Sequence, residues 1–410
     1  MQNTPQPSAG PSRFWLAALL AGLAMLGPFT IDTYMPSFPD MERTFSASAV
    51  QMQQTLSVYL LTSASMMLFH GAISDSFGRR SVILANLLVY IVASAGCALA
   101  QDFTQLLAFR GLQGLAGGSG MVIGRAMIRD SYAGHDAQRM MSMVTMLFGV
   151  APAIAPIIGG WLQAGFGWRS VFAFLVLFGS LLFIRCWQVL PETLPRSARQ
   201  PFAPRPLIAN YLKLLGSPRY LLLSTAVAFN FAGFFIYISS APAIVYGLLH
   251  LDETQFAWLF IPAVSGVVIG AFLSGRLAGR LTARTTIAIA YGLMFSAVGC
   301  SMTYHYLFPP ALPWTVLFVM MYSMGMSLAM PNLTIYALDL FPQNRGLAAS
   351  LQVFQQYIYT SIVAGVVSPF VSDSALGMAV TSCAFLSCGG CCAFYYFKLR
   401  SAVPQVKEQA

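Results

Sequence analysis

The sequence predicts an all-α integral membrane protein in which twelve transmembrane helices form two pseudo-symmetric six-helix bundles. Hydrophobic residues make up 57% of the 410 residues and charged residues only 9%, whereas soluble domains carry about 25% charged residues. Apolar runs near the spanning length of about 20 residues recur along the whole chain. Basic residues are concentrated in alternate connections between these runs, as is typical of the inner side of a membrane protein.

Twelve spans can be placed from the apolar runs. They are 14–38, 51–73, 81–100, 103–126, 138–163 and 169–190, followed by 218–246, 254–274, 285–306, 313–337, 346–371 and 375–397. The two bundles then cover 14–190 and 218–397. A cytoplasmic linker with five prolines joins them over 191–217. Residues 1–13, polar and rich in proline, predict a disordered cytoplasmic tail, and 398–410 predict a second cytoplasmic tail.

The distribution of charge predicts the orientation. With a cytoplasmic N-terminus, the outer connections contain only Arg43 and Arg169 as basic residues, so both termini are expected inside. The net charge of +9 comes from basic residues in the connections on the inner side. It therefore indicates a bilayer as partner and not a nucleic acid. We expect a monomer in a bacterial inner membrane.

Asp32 is the one carboxylate within the first apolar run, Phe14–Pro39. A charged side chain in lipid costs at least about 2.5 kcal/mol, so an acidic residue there is a candidate functional group. The alternative is that Asp32 marks the point where the helix leaves the membrane, ahead of Pro36 and Pro39.

Arg110 follows in the fourth span, about 10 Å below the start of that span near Phe103. Asp32 falls in the same outer half of the bilayer, so the two opposite charges could meet. The alternative is an arginine that is purely structural or that snorkels to the surface.

Gly71, Asp75, Gly78, Arg79 and Arg80 form a G-x-x-x-D-x-x-G-R-R motif after the second span. Gly71 would permit close helix approach, Gly78 would supply a tight turn, and Asp75 could pair with a neighbouring base or a helix N-terminus. The motif resembles the signature of the major facilitator superfamily. The resemblance implies a latch that helps hold the outward-facing state; alternatively, the arginines act only as topology determinants.

Two further motifs resemble those of the antiporter branch of that superfamily. Arg110–Gly114 matches its R-x-x-Q-G motif, which is associated with proton coupling. In the fifth span, Pro152, Pro156, Gly159 and Gly160 match G-P-x-x-G-G, with Ala155 in place of the glycine before the proline. The prolines are expected to kink this helix and the glycines to permit close packing. The alternative is a bent helix without an antiport-specific role, which would show the same residues.

Together with I-D-T-Y-M-P at 31–36 and P-E-T at 191–193, these motifs resemble the drug:proton antiporters of the bicyclomycin and chloramphenicol (Bcr/CflA) type. The resemblance implies export of small amphipathic drugs in exchange for protons, with Asp32 and Arg110 in proton coupling and no cofactor besides the proton. The alternative is a proton-coupled transporter of a physiological metabolite such as a nucleoside. No Walker motif or H-E-x-x-H motif occurs, which argues against an ATP-driven pump and an enzyme.

The small-molecule cavity is predicted from polar and aromatic side chains inside the spans. Amides at membrane depth need partners or water, and aromatic faces suit varied apolar ligands. The candidates are Tyr34, Asn230, Phe234, Tyr237, Asn332 and Gln356. Helix packing or contact with lipid is the alternative for each. The seven cysteines lie within apolar runs without convergent ligands, so no metal site is expected.

Overall fold

The computed structural model describes residues 13–401, and it is built from helices. Most of the two predicted tails lies outside the described residues. The helices are α1 Arg13–Asp32, α2 Phe38–Phe45, α3 Ala49–Phe77, α4 Arg79–Leu99, α5 Phe103–Gly117, α6 Ser119–Ser131, α7 Gly134–Phe166, α8 Trp168–Val189, α9 Pro204–Leu215, α10 Pro218–Ser239, α11 Ala257–Leu277, α12 Ala283–Leu307, α13 Trp314–Asp339, α14 Arg345–Ile362, α15 Ser368–Val371 and α16 Ala375–Ser401. Short 3₁₀ or π-helical turns occur at Met35–Ser37, Arg196–Ala198, Ala243–Leu248 and Val363–Val367.

Ten segments of the described chain are long and apolar enough to cross a membrane. The other two predicted spans are divided. Gly118 separates α5 from α6, and the π-helical turn Val363–Val367 separates α14 from α15. The break at Gly118 fits the low helix propensity of glycine. A side chain there would press against Met67 of α3.

The first span differs from the prediction at its far end. The helix α1 ends at Asp32, but the chain continues through a 3₁₀ turn at Met35–Ser37 into α2. Proline is tolerated in the first turn of a helix because the missing N–H would have no intrahelical partner there. The prolines that suggested an exit from the membrane therefore begin new helical segments.

The two halves of the chain meet at one end of the bundle, which we call the distal end because it lies opposite the linker. Ser57 of α3 and Ser361 of α14 each donate a hydroxyl hydrogen bond to the other's backbone carbonyl, at 2.8 and 2.9 Å. Tyr246 donates to the carbonyl oxygen of Pro36 at 2.6 Å. These contacts close the distal end.

The opposite end, which holds Gly78 and the linker, is the linker end. A cavity of about 680 Å³ lies there, with walls from both halves of the chain. The predicted linker contains the helix α9, which the sequence analysis did not identify. Its Tyr211 is buried and donates to the carbonyl oxygen of Leu68 at 2.9 Å.

Candidate functional site

Asp32 lies at the last residue of α1 and is only 4% exposed. Among the described residues, its carboxylate forms no hydrogen bond or ion pair. The C-terminus of a helix carries partial negative charge, which disfavours a second negative charge there. A buried carboxylate in this position is therefore costly while it is charged, and a bound proton removes that charge. The interpretation of Asp32 as a solvated helix end is wrong.

Arg110 is fully buried in α5, between two aromatic rings. Its guanidinium carbon lies 4.2 Å from the ring centroid of Tyr34 and 4.7 Å from that of Tyr59. The Nη1 group donates to the carbonyl of Thr30 at 3.3 Å and to Gln113 Oε1 at 2.6 Å. This burial excludes the snorkelling alternative.

The expected contact between Asp32 and Arg110 is absent: no ion pair joins the two side chains within the described structure. The aromatic rings and the oxygens of Thr30 and Gln113 surround the guanidinium group instead. Its Nε and Nη2 groups remain buried without an acceptor. Buried donors without partners are energetically unfavourable, so this arginine is under-satisfied in the present conformation.

Neutral polar side chains extend the arginine site across the bundle. Gln113 donates to Ser94 Oγ at 2.8 Å, Thr30 shares a 2.6 Å hydrogen bond with Tyr90, and the Tyr34 hydroxyl lies 3.2 Å from Thr55 Oγ1. These bonds join α1 and α5 to α4, and they join the segment after α1 to α3. Sequence reasoning missed Thr30, Tyr59 and Tyr90, although a polar side chain within an apolar span was a signal for each.

Tyr357 connects this site to the second half of the chain. It belongs to α14 of the second half and lies near Asp32, Tyr59 and Arg125 of the first half. Asp32 therefore lies near the boundary between the halves, where a change in their relative position would change its surroundings.

The predicted latch begins with a tight turn at Gly78. Its φ of +95° lies in the region that favours glycine. A Cβ atom at this position would also overlap the side chains of Glu192 and Arg199. The turn therefore needs glycine both for its backbone conformation and for space.

Arg79 holds this turn to the neighbouring elements. It forms ion pairs with Asp75 and with Asp130, the latter at 3.1 Å, and its backbone N–H donates to Glu192 Oε1 at 2.9 Å. Arg80 donates to the carbonyl of Trp187 at 2.6 Å. The latch thus joins α3 to α6 and to the P-E-T segment. Asp130 and Glu192 were not among the predicted site residues.

Gly71 differs from its expected role. A Cβ at this position would meet no atom within 4 Å, because Gly71 lines the open cavity and not a helix contact. The contacts of Asp75, Arg79 and Arg80 described above lie within the first half, apart from the bond between Arg79 and Glu192 of the linker. The linker adds one more, a hydrogen bond from the Gln200 backbone N–H to the Asp75 carbonyl.

The helix α7 passes through Pro152 and Pro156 without a break and brings two glycines into contact with its neighbours. A Cβ on Gly159 would overlap the carbonyl of Thr33 at the end of α1, and one on Gly160 would overlap the carbonyl of Glu253 in the second half. The predicted close packing at these glycines is present. Gly159 packs within the first half, whereas Gly160 packs against the second half at the distal end.

The cavity at the linker end has apolar walls with a few charges. Met67, Met121 and Met141 contribute flexible apolar surface. Its charged lining consists of Asp75, Arg79, Arg125, Arg129 and Asp130. A cavity of this volume falls in the range of small-molecule sites.

None of the six residues predicted for substrate binding lines this cavity. Tyr34 packs under Arg110, and Phe234 and Tyr237 are buried within the second half. Asn230 donates to the hydroxyl of Tyr291 at 2.9 Å, and Asn332 donates to the carbonyl of Leu328 at 3.3 Å. The NH₂ group of each amide thus donates within its own bundle, whereas Oδ1 of Asn230 is buried without a hydrogen-bond partner. Gln356 is half-buried.

Comparison with known proteins places this geometry in a family context. Residues 15–365 match the family model described as Major Facilitator Superfamily. The chain is 30% identical over 322 residues to an uncharacterized MFS-type transporter, YdgK, of Bacillus subtilis, covering 78% of this chain and 80% of the relative. It is 27% identical over 393 residues to a bicyclomycin resistance protein homolog of Haemophilus influenzae, covering 95% and 98%.

A solved structure shares the fold. A bacterial homolog of the human lysosomal transporter Spinster, in an inward-facing and unoccupied conformation, superposes with a TM-score of 0.72 at 17% identity. The superposition covers 95% of this chain and 97% of that chain.

Proposed function

Because this chain belongs to the Major Facilitator Superfamily and is a multi-pass inner-membrane transporter, we propose that it exports small amphipathic drugs in exchange for protons. The observation that carries the proposal is the buried carboxylate of Asp32, which has no cationic partner and lies near the boundary between the halves. The name of the Haemophilus relative supports the drug class. No nucleotide-binding motif is needed, since an inward proton releases about 2.3 kcal/mol per 100 mV of membrane potential.

Alternating access supplies the transport cycle. The halves touch at the distal end through Ser57, Ser361 and Tyr246, while a cavity separates them at the linker end. We assign the linker end to the cytoplasm, because its connections carry most of the basic residues. The structure then represents a state that admits a compound from the cytoplasm.

The proposed proton exchange rests on the carboxylate of Asp32 and the guanidinium group of Arg110. A proton bound at Asp32 neutralises the buried carboxylate, and its loss to the cytoplasm restores the charge. The free Nε and Nη2 donors of Arg110 can then receive this carboxylate, provided that the end of α1 shifts toward α5. The ion pair expected from the sequence thus belongs to another step of the cycle. Binding of a compound favours the deprotonated state and so links export to proton release.

The test compares Asp32→Asn with the unchanged protein in proteoliposomes under an imposed pH gradient. Chloramphenicol, ethidium and uridine serve as probes, and proton movement is followed with a lumenal pH dye. Asparagine preserves the shape of the side chain but does not titrate. We expect proton-driven transport of the drug probes to be lost. Their binding should be weaker than to the unchanged protein with Asp32 deprotonated, because asparagine mimics the protonated state and coupling between proton and compound is reciprocal.

The matched control is Asp102→Asn. Asp102 caps the start of α5 at the distal end, and asparagine caps helices equally well. This variant should transport normally. Unchanged proton release in Asp32→Asn would remove Asp32 from the mechanism. Transport of uridine without either drug would favour the metabolite alternative.

A further inference from the structure

The linker helix α9 has one side that packs on the bundle. Tyr211 and Leu214 are 7% and 2% exposed. The hydroxyl of Tyr211 donates to the Leu68 carbonyl of α3 at 2.9 Å. The same helix contacts α14 of the second half. These contacts fix the rotation of α9 about its axis.

The adjoining side of α9 is an exposed apolar stripe, formed by Ile208, Leu212 and Leu215. Their exposed fractions are 48%, 62% and 39%. The three residues are spaced by four and then three positions, so they follow one face of the helix. Contact with water would leave this apolar surface unfavourably hydrated.

Basic residues border the stripe. Arg205 and Lys213 belong to α9, and Arg219 opens α10; all three are exposed, and none forms an ion pair within the described structure. The sequence contains no acidic residue between Glu192 and Asp252. The linker after Glu192 and the whole of α10 therefore contribute only positive charge beside α9, which is complementary to an anionic surface.

The position of α9 along the bundle places it at the edge of the membrane. Only Gly216 and Ser217 separate it from α10, which is a spanning helix. Leu68, to which Tyr211 is bonded, lies nine residues before the end of α3 at Phe77, or about 14 Å along the helix axis. The helix thus lies beside the spanning segments and not beyond their ends.

We propose that α9 is an interfacial helix that binds the anionic phospholipid of the adjacent leaflet. Ile208, Leu212 and Leu215 enter the acyl boundary, and Arg205, Lys213 and Arg219 receive the phosphate groups. An apolar stripe with adjoining bases is typical of helices that lie in a membrane surface. The proposal requires only that the linker end lies at a leaflet, so it is independent of proton exchange and of drug export.

Lipid binding at α9 would act on the transport cavity. Pro206, Leu207, Asn210 and Tyr211 form part of the cavity wall on the other side of the same helix. Anionic lipid would therefore hold one wall of the open cavity in place.

Hydrogen exchange of the full-length protein tests this contact. The protein is placed as one copy per nanodisc, either in phosphatidylcholine alone or with phosphatidylglycerol added, and peptides covering 204–217 are followed by mass spectrometry. We expect phosphatidylglycerol to slow the exchange of their amides by a factor of about five or more, because each base near an anionic surface contributes favourably to binding. Combined replacement Arg205→Gln, Lys213→Gln and Arg219→Gln should abolish the difference.

The control is Arg276→Gln, Arg280→Gln and Arg284→Gln, which removes three exposed bases at the end of α11, in the following turn and at the start of α12. It should leave the exchange of 204–217 dependent on phosphatidylglycerol. Leu212→Gln should raise the exchange in both lipids. Equal exchange with and without phosphatidylglycerol in the unchanged protein would overturn the proposal, as would equal protection by inorganic phosphate added to phosphatidylcholine discs. A second copy as occupant is excluded by the single-copy discs.

Discussion

At the scale of single residues, Arg110 organises the site through geometry that lysine cannot reproduce. Its planar guanidinium group lies against both Tyr34 and Tyr59 while it donates to Thr30 and Gln113. Lysine is a compact point charge without a planar face. The positive charge alone would therefore not preserve the site.

Replacement of Arg110 by lysine should lower the free energy of unfolding by about 1–3 kcal/mol, from the loss of two buried cation–π contacts. Proton-coupled transport should fall at least about tenfold, because 1.4 kcal/mol in the coupling step already corresponds to that factor. Thermal unfolding and the proteoliposome assay measure the two effects.

Arg169→Lys is the control for this substitution. Arg169 stacks on Trp168 at 4.2 Å, but its side chain is exposed at the distal end. The variant should change the free energy of unfolding by at most about 1 kcal/mol and should transport normally. Full activity of Arg110→Lys would show that charge, without the planar group, is sufficient.

The sequence predicted the depth of Asp32 and Arg110 but not their partners. Counting residues along two helices places both groups in one layer, whereas the direction of each side chain depends on how the helices pack. Tyr59 comes from α3 and Thr30 from α1, and neither lies near Arg110 in the sequence. The aromatic pocket could therefore not be deduced from spacing alone.

At the scale of elements, α7 makes a contact between the halves that depends on a small residue. Gly160 faces the Glu253 carbonyl of the second half, whereas a Cβ added to Gly165, near the end of the same helix, would meet no atom within 4 Å. The two glycines share a helix but differ in their surroundings.

Gly160→Ala should weaken closure of the distal end, since the added Cβ must displace the backbone at Glu253. The overlap should exceed the helix-propensity gain of about 1 kcal/mol that alanine brings. Hydrogen exchange of peptides covering 250–256 should accelerate several-fold. Gly165→Ala should leave that exchange unchanged and should raise the melting temperature slightly. Unchanged exchange of peptides 250–256 in Gly160→Ala would contradict this prediction, because it would show that α7 can shift to accommodate the added Cβ.

The sequence predicted continuous apolar helices better than interrupted ones. Apolar length reveals a span, but it does not show where Gly118 or the turn at Val363–Val367 will interrupt it. The helix α2 was missed because Pro36 and Pro39 resemble the end of a span, although proline also begins helices. The helix α9 was missed because five prolines in the linker indicate irregular structure.

At the scale of the whole molecule, the present state depends on hydrogen bonds that cross between the halves. Tyr246 donates across this boundary to Pro36, whereas Tyr220 donates within the second half to the carbonyl of Ala348, also at 2.6 Å. Removal of either hydroxyl loses one bond of the same kind. Only the first bond can change the balance between states.

Tyr246→Phe should weaken the closed distal end by about 1 kcal/mol, the usual net value of one hydrogen bond. Peptides covering 34–46 and 243–256 should then exchange about fivefold faster. Tyr220→Phe should lower the melting temperature without a change at these peptides. Identical exchange in both variants would place the closing interaction elsewhere.

The distal contacts also determine how the closed distal end responds to salt. Serine hydroxyls, a tyrosine and backbone carbonyls join the halves there, and within the described part of the chain no ion pair crosses at that end. Opening this end breaks no ion pair between the halves, and the acids near Tyr246, which are Asp40 of the first half and Asp252 and Glu253 of the second, carry charge of the same sign. Dissolved salt therefore has no attraction between the halves to weaken there. Raising the salt concentration should therefore not open the distal end.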